Sequence, residues 1–86
     1  MYKILIVEDD KNLCSNIADG LLKWGFEPVC VEDFENVAVE FTKLNPHLVI
    51  MDINLPYFDG FYWCKKIRDI SKVPVFFCLQ ETAVWT

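Results

Sequence analysis

Positive charge is scarce in this sequence. Against 13 aspartates and glutamates it carries 8 lysines and arginines and 1 histidine, for a net charge of −5 and a pI near 4.6. That balance argues against this chain as the surface that contacts nucleic acid. It suits a basic partner or a bound cation. No apolar run approaches the roughly 20 residues needed to span a bilayer. Acids follow the first apolar run at once, so the N-terminus lacks the pattern of an export signal, and a cytoplasmic location is expected. Glycine is limited to 3 residues and proline to 4. No linker, repeat or low-complexity segment interrupts the chain. None of the four cysteines, Cys14, Cys30, Cys64 and Cys78, belongs to a C-x-x-C pair, which excludes a zinc site on spacing. Their even number permits disulfides. With no export signal the expected compartment is reducing, and all four read as small core hydrophobes.

The remaining composition demands a folded core. The chain is 53% hydrophobic and 15% aromatic, which excludes disorder. At 86 residues it is one small domain or a piece of one, burying only about 60–65% of its unfolded surface.

Lys3-Ile4-Leu5-Ile6-Val7 is a continuous apolar run, the pattern of a strand buried on both faces. Glu8-Asp9-Asp10 follows, with Asp10 as N-cap of a helix over Lys11–Trp24 whose apolar stripe is Leu13, Ile17 and Leu21. Gly25 supplies its left-handed end. Glu27–Val31 is a second strand. Pro28 cannot donate a ladder hydrogen bond and so places that strand at a sheet edge. Asp33 is expected to cap a second helix with Phe34, Val37, Ala38, Phe41 and Leu44 inward, stopped by Asn45-Pro46. Leu48–Met51 is a buried third strand ending at Asp52. After a loop containing Pro56, a third helix is expected over Gly60–Ile70, with Phe61, Cys64 and Ile67 inward and Trp63 partly exposed. Val73–Leu79 is a fourth apolar strand. Trp24 is expected to be half-buried, and His47 to be a loop residue.

The alternation β-α-β-α-β-α-β implies an α/β fold, a doubly wound parallel sheet of the flavodoxin-like kind. Strand order 2-1-3-4 puts the Pro28 strand at an edge and sets the carboxyl ends of the first and third strands side by side. Glu8, Asp9 and Asp52 then converge in the crevice where such sheets bind ligands. Carboxylates packed together repel one another unless a cation sits among them, and oxygen donors at an open site suit Mg²⁺ better than zinc. A carboxylate in such a crevice can act as a nucleophile toward a phosphoryl group. Asp52, on the central strand with a loop and a helix start behind it, is the candidate nucleophile; Glu8 and Asp9 are candidate metal ligands.

Lys3-Ile4-Leu5-Ile6-Val7-Glu8-Asp9-Asp10, Asp52-Ile53-Asn54-Leu55-Pro56, Asp59-Gly60 and Val73-Pro74 together resemble the receiver domain of bacterial two-component response regulators, most closely the winged-helix transcriptional regulators. The resemblance covers residues 1–77 and leaves 78–86 as a divergent tail. It implies that Asp52 is the phosphoacceptor, served by a sensor histidine kinase. It also implies that Glu8, Asp9, Asp52 and the backbone carbonyl of Asn54 hold Mg²⁺, and that Pro56 and Gly60 shape the loop and helix behind the phosphoacceptor. Such a domain is a signalling module and not a turnover enzyme.

The chain departs from the family pattern after the fourth strand. The fourth helix, the fifth strand with its lysine and switch aromatic, and the fifth helix are missing, and Leu79 stands where the family has a serine or threonine. The resemblance therefore implies a truncated receiver with impaired phosphoryl transfer. An uncovered apolar fourth strand and a bare sheet face imply a homodimer through residues 73–79 or that face. Two other readings stay open. One is a non-phosphorylatable binding or dimerisation module with this fold. The other is an aspartyl-nucleophile phosphatase of the haloacid-dehalogenase type, against which Asn54 and the third-strand position of Asp52 both count.

Overall fold

A computed structural model describes residues 1–78. The elements run β1 (Lys3–Val7), α1 (Lys11–Lys23), β2 (Glu27–Cys30), α2 (Val37–Leu44), β3 (Leu48–Asp52), α3 (Gly60–Ile70) and β4 (Val75–Cys78). All strand pairs are parallel and the sheet order is β2-β1-β3-β4, so Pro28 does lie on an edge strand. Leu79 and the rest of the tail lie outside the described residues.

Side-chain alternation divides the core in two. Leu5, Val7, Val49 and Met51 point to the face covered by α2 and α3, where they pack with Val37, Phe41, Trp63 and Ile67. Ile4, Ile6, Leu48 and Ile50 point to the α1 face and meet Cys14, Ile17, Ala18 and Leu21. Residues Ile4 to Val7 are all buried, because β1 has a strand on each side and helices over both faces. The two-face burial expected of its apolar run is met.

Local hydrogen bonds set the element ends. The Asp10 carboxylate accepts from the backbone N–H groups of Asn12 and Leu13, capping α1 as expected. Gly25 follows at φ 85°, in the left-handed region. Trp24, past the end of the helix stripe, is 82% exposed rather than half-buried.

Helix α2 starts later than the sequence implies. Its N-cap is Asn36, not Asp33. Asp33 instead closes a turn, accepting from the Glu35 N–H and the Asn36 amide. The Glu40 carboxylate reaches back to the N–H groups of Glu32 and Asp33. Phe34 therefore packs on the core from a loop.

Helix α3 is rotated relative to the expected stripe. Gly60, Trp63 and Ile67 face the sheet and are buried, whereas Phe61 is 58% exposed and Cys64 half-buried. The cause is at the helix start. The Gly60 N–H bonds the Ile53 carbonyl at 2.8 Å, which presses the first turn against the end of β3. That anchor fixes which side of the helix turns inward.

The cysteines also differ from expectation. Cys14 on α1 and Cys30 on β2 are joined as a disulfide, with Cα atoms 6.5 Å apart. Cys64 and Cys78 are free thiols.

Candidate functional site: an acidic crevice at the strand ends

Register brings the acids together. Ile6 pairs with Ile50 and Val7 with Met51, so the residues after β1 and at the end of β3 emerge side by side. Ligand oxygens of Glu8, Asp9 and Asp52 all lie within 4.8 Å of one another. Glu8 and Asp52 are buried and Asp9 is exposed. The three acids that the sequence places in one crevice are thus brought into one cluster. Asn54, two residues further on, is exposed; its backbone N–H donates to the Asp52 carboxylate, as does that of Ile53.

These contacts set the charge state of Asp52. Burial is the largest influence and raises its pKa above the ordinary carboxylate range, with the charge of Asp9 adding to the rise. The Asn54 and Ile53 N–H groups and a side-chain hydrogen bond with Glu8 oppose it. Glu8 also accepts from the Asp10 N–H at 3.0 Å, so the cap of α1 and the acidic cluster share one hydrogen-bonded turn. Cys78, paired in register with Asp52, borders the same place. Burial, and then the charges of Glu8 and Asp52, push its thiol pKa up, which keeps the sulfur protonated. Donors here are therefore carboxylate oxygens, the hard set preferred by Mg²⁺.

Behind Asp52 the loop turns sharply. The Phe58 N–H bonds the Pro56 carbonyl, and Tyr57 sits at φ 69°, an uncommon conformation for a bulky side chain. Asp59 then caps α3 through the Tyr62 N–H. Phe58 stacks on Tyr62 with ring centroids 4.2 Å apart.

A protein-family model described as the response regulator receiver domain matches residues 4–84. The chain belongs to the response regulator receiver domain family. It is 51% identical over 77 residues to the sensory transduction protein BceR of Halalkalibacterium halodurans, covering 90% of this chain and 33% of that protein. It is 46% identical over 82 residues to the uncharacterised transcriptional regulatory protein YvcP of Bacillus subtilis, covering 95% of this chain and 35% of that one. This receiver domain thus spans about a third of the length of the curated relatives it matches. Among solved structures, TrrA of Thermotoga maritima in complex with Mg²⁺-BeF superposes with a TM-score of 0.82 at 26% identity, covering 99% of this chain and 80% of that one. TrrA has also been solved with the histidine kinase ThkA.

The receiver domain is part of two-component signalling, and its flavodoxin-like sheet is the one the sequence implied. Receiver domains are not, as a class, turnover enzymes. Among the described residues no helix is long and apolar enough to cross a membrane.

The raised pKa of Asp52 has a testable consequence. In the unfolded chain Asp52 titrates in the ordinary carboxylate range. In the fold it holds its proton to higher pH. Its contribution is therefore fully present below the unfolded value and is lost as pH rises through the folded one. Asp52→Asn keeps an oxygen for the Ile53 and Asn54 N–H groups but removes the buried charge. At neutral pH without divalent cation the variant should be the more stable of the two and melt at the higher temperature. Below the ordinary carboxylate range the difference should close. Thermal unfolding of both chains across pH measures it; a constant difference would remove Asp52 ionisation as the cause.

Proposed function

We propose that this receiver takes a phosphoryl group on Asp52 from a sensor histidine kinase, with Glu8, Asp9, Asp52 and the Asn54 backbone carbonyl holding Mg²⁺. The observation that carries the reading is the convergence of the Glu8, Asp9 and Asp52 oxygens. An Asp52 carboxylate oxygen attacks phosphorus in line, an acyl–phosphate bond forms, and the bond to the donor imidazole breaks as that nitrogen recovers a proton. The Ile53 and Asn54 N–H groups orient the carboxylate for that attack. A bound divalent cation would offset the combined charge of the carboxylates and the phosphoryl oxygens. The kinase as donor is supported by the solved complex of TrrA with ThkA. The module then acts once per phosphoryl group received, in the cytoplasm, as a single unit over residues 1–86 with no nucleic acid bound by this chain.

The test is incubation with Mg²⁺ and acetyl phosphate, followed by intact-mass analysis. A single labile phosphate, absent in Asp52→Asn, is the expected result. The yield should be low, because Leu79, which stands in the sequence where the family has a serine or threonine, carries no hydroxyl, and Leu79→Thr should raise it. Mg²⁺ binding without an adduct would instead favour a silent binding module. Steady phosphate release from aryl phosphates would favour a phosphatase.

We further propose that two copies pair through the α1 side of β3 and β4. Helix α1 covers Ile4 and Ile6 but leaves Leu48 and Ile50 half-buried and Phe76 60% exposed. Ile50 and Phe76 are register partners, so they form one apolar strip. Among the described residues no strand pairs with the outer edge of β4. A second copy, two-fold related, covers both. Sedimentation equilibrium at high micromolar concentration should show a dimer that Phe76→Lys returns to monomer. A monomeric parent chain under those conditions would overturn the pairing.

A further inference from the structure

The Cys14–Cys30 bond lies where it can influence the acidic crevice. Cys14 is in the first turn of α1, and its N–H bonds the Asp10 carbonyl at 2.9 Å. The Asp10 N–H in turn bonds the Glu8 carboxylate. On the other side, Cys30 is the register partner of Ile6, two residues before Glu8. The crosslink therefore ties the first turn of α1 to the edge strand β2, on either side of the turn that carries Glu8 and Asp9. It is also reachable. Cys14 is 3% exposed and Cys30 is half-buried, and both line an open cavity of about 620 Å³ that Glu8, Asp9, Lys11 and Ser15 share.

We propose that Cys14 and Cys30 form a reversible thiol–disulfide site, a substrate for dithiol reductants, whose state sets how tightly the neighbouring acids hold a divalent cation. The inference rests on the cation-site reading of Glu8, Asp9 and Asp52. In reduction, a thiolate of the dithiol attacks the more accessible Cys30 sulfur, and the bond to Cys14 breaks. Cys14 leaves as a thiolate and takes up a proton. The second thiolate of the reductant then attacks the mixed disulfide and becomes half of the reductant's own disulfide. Cys30 is released and protonated. Two electrons and two protons pass from the dithiol to the chain. Oxidation is the reverse exchange, with a low-molecular-weight disulfide as acceptor.

The coupling follows from the order of contacts. With the bond closed, the first turn of α1 is fixed against β2, and the Glu8–Asp10 hydrogen bond is held at one geometry. With it open, that turn is restrained by packing and the Asp10 cap alone. The acids then lose part of their preorganisation, and cation affinity falls.

The experiment compares the whole chain after glutathione disulfide and after dithiothreitol. Alkylation and peptide mapping report which cysteines are bonded, and calorimetric titration reports Mg²⁺ affinity. The expected result is a Cys14–Cys30 crosslink in the first sample only, with Mg²⁺ bound roughly tenfold more weakly in the second. Cys30→Ser should bind like the reduced chain and ignore dithiothreitol. Four alkylatable cysteines after oxidation would overturn the crosslink. Equal Mg²⁺ affinity in both samples would overturn the coupling while leaving the cation site standing. No Mg²⁺ binding in either sample would overturn the cation site and the inference with it.

Discussion

Gly60→Ala is expected to cost about 3 kcal/mol of folding stability, roughly 12–24 °C in midpoint. A methyl group at that position would overlap the Asp52 carbonyl oxygen and stand 3.0 Å from both the Asp52 carbonyl carbon and the Ile53 Cα. All three are backbone atoms at the end of β3, so no side-chain rotation relieves the clash. Either α3 lifts off the sheet, withdrawing Trp63 and Ile67 from the core, or the end of β3 shifts and carries Asp52 with it. Both outcomes damage the acidic cluster, so Mg²⁺ affinity should fall together with stability. Gly20→Ala is the control. It lies inside α1 with nothing within 4 Å of the added carbon. Removing a helix-interior glycine there should gain about 0.5–1 kcal/mol. Urea unfolding of the two variants beside the parent chain gives the comparison; similar small changes in both would show that the contact at Gly60 is not the constraint described.

Opening the Cys14–Cys30 bond is expected to cost about 3 kcal/mol, because the crosslink closes a loop with a sequence separation of 16. The loss arises mainly in the unfolded ensemble, which gains freedom once the loop is released. The packing on the α1 face of the sheet, Ile17, Ala18 and Phe26 included, remains in place. Cys14→Ser should therefore unfold at the same urea concentration as the reduced parent and show no response to dithiothreitol. A parent chain whose midpoint is the same with and without reductant would remove the crosslink from the determinants of stability. This loss is large for a chain of 86 residues, whose small core leaves a thin margin of stability.

The parts of the fold legible in the sequence are those governed by single, strong local rules. The apolar runs Ile4–Val7 and Leu48–Met51 could only be strands with cover on both faces. Pro28 could not sit in the middle of a ladder. The doubly wound topology implied by the β-α-β alternation meets both conditions with the order β2-β1-β3-β4, and with it comes the meeting of Glu8, Asp9 and Asp52. What escaped depended on contacts between distant segments. Asp33 is as good a cap as Asn36 by residue type, but Glu40 pulls the preceding backbone into a turn, and the helix begins later. The stripe through Phe61, Cys64 and Ile67 is as regular as the one through Gly60, Trp63 and Ile67, and the two share Ile67, which is buried as expected. Only the close approach of Gly60 to β3 selects the second, and a glycine opening a helix at a strand end was the available signal. Cys14 and Cys30 meet because α1 packs beside β2. An argument from compartment alone could not anticipate that neighbourhood.

The position of β1 between two strands and two helix layers also bears on timing. Its amide hydrogens are the last in such a sheet to reach solvent, since exposing them requires the whole core to open. Glu8 and Asp9 follow directly on that inner strand, whereas among the described residues β4 stands at the margin, where fraying costs least. One half of the acidic crevice therefore persists until the molecule unfolds as a unit, and breathing motions at the other edge should leave it in register.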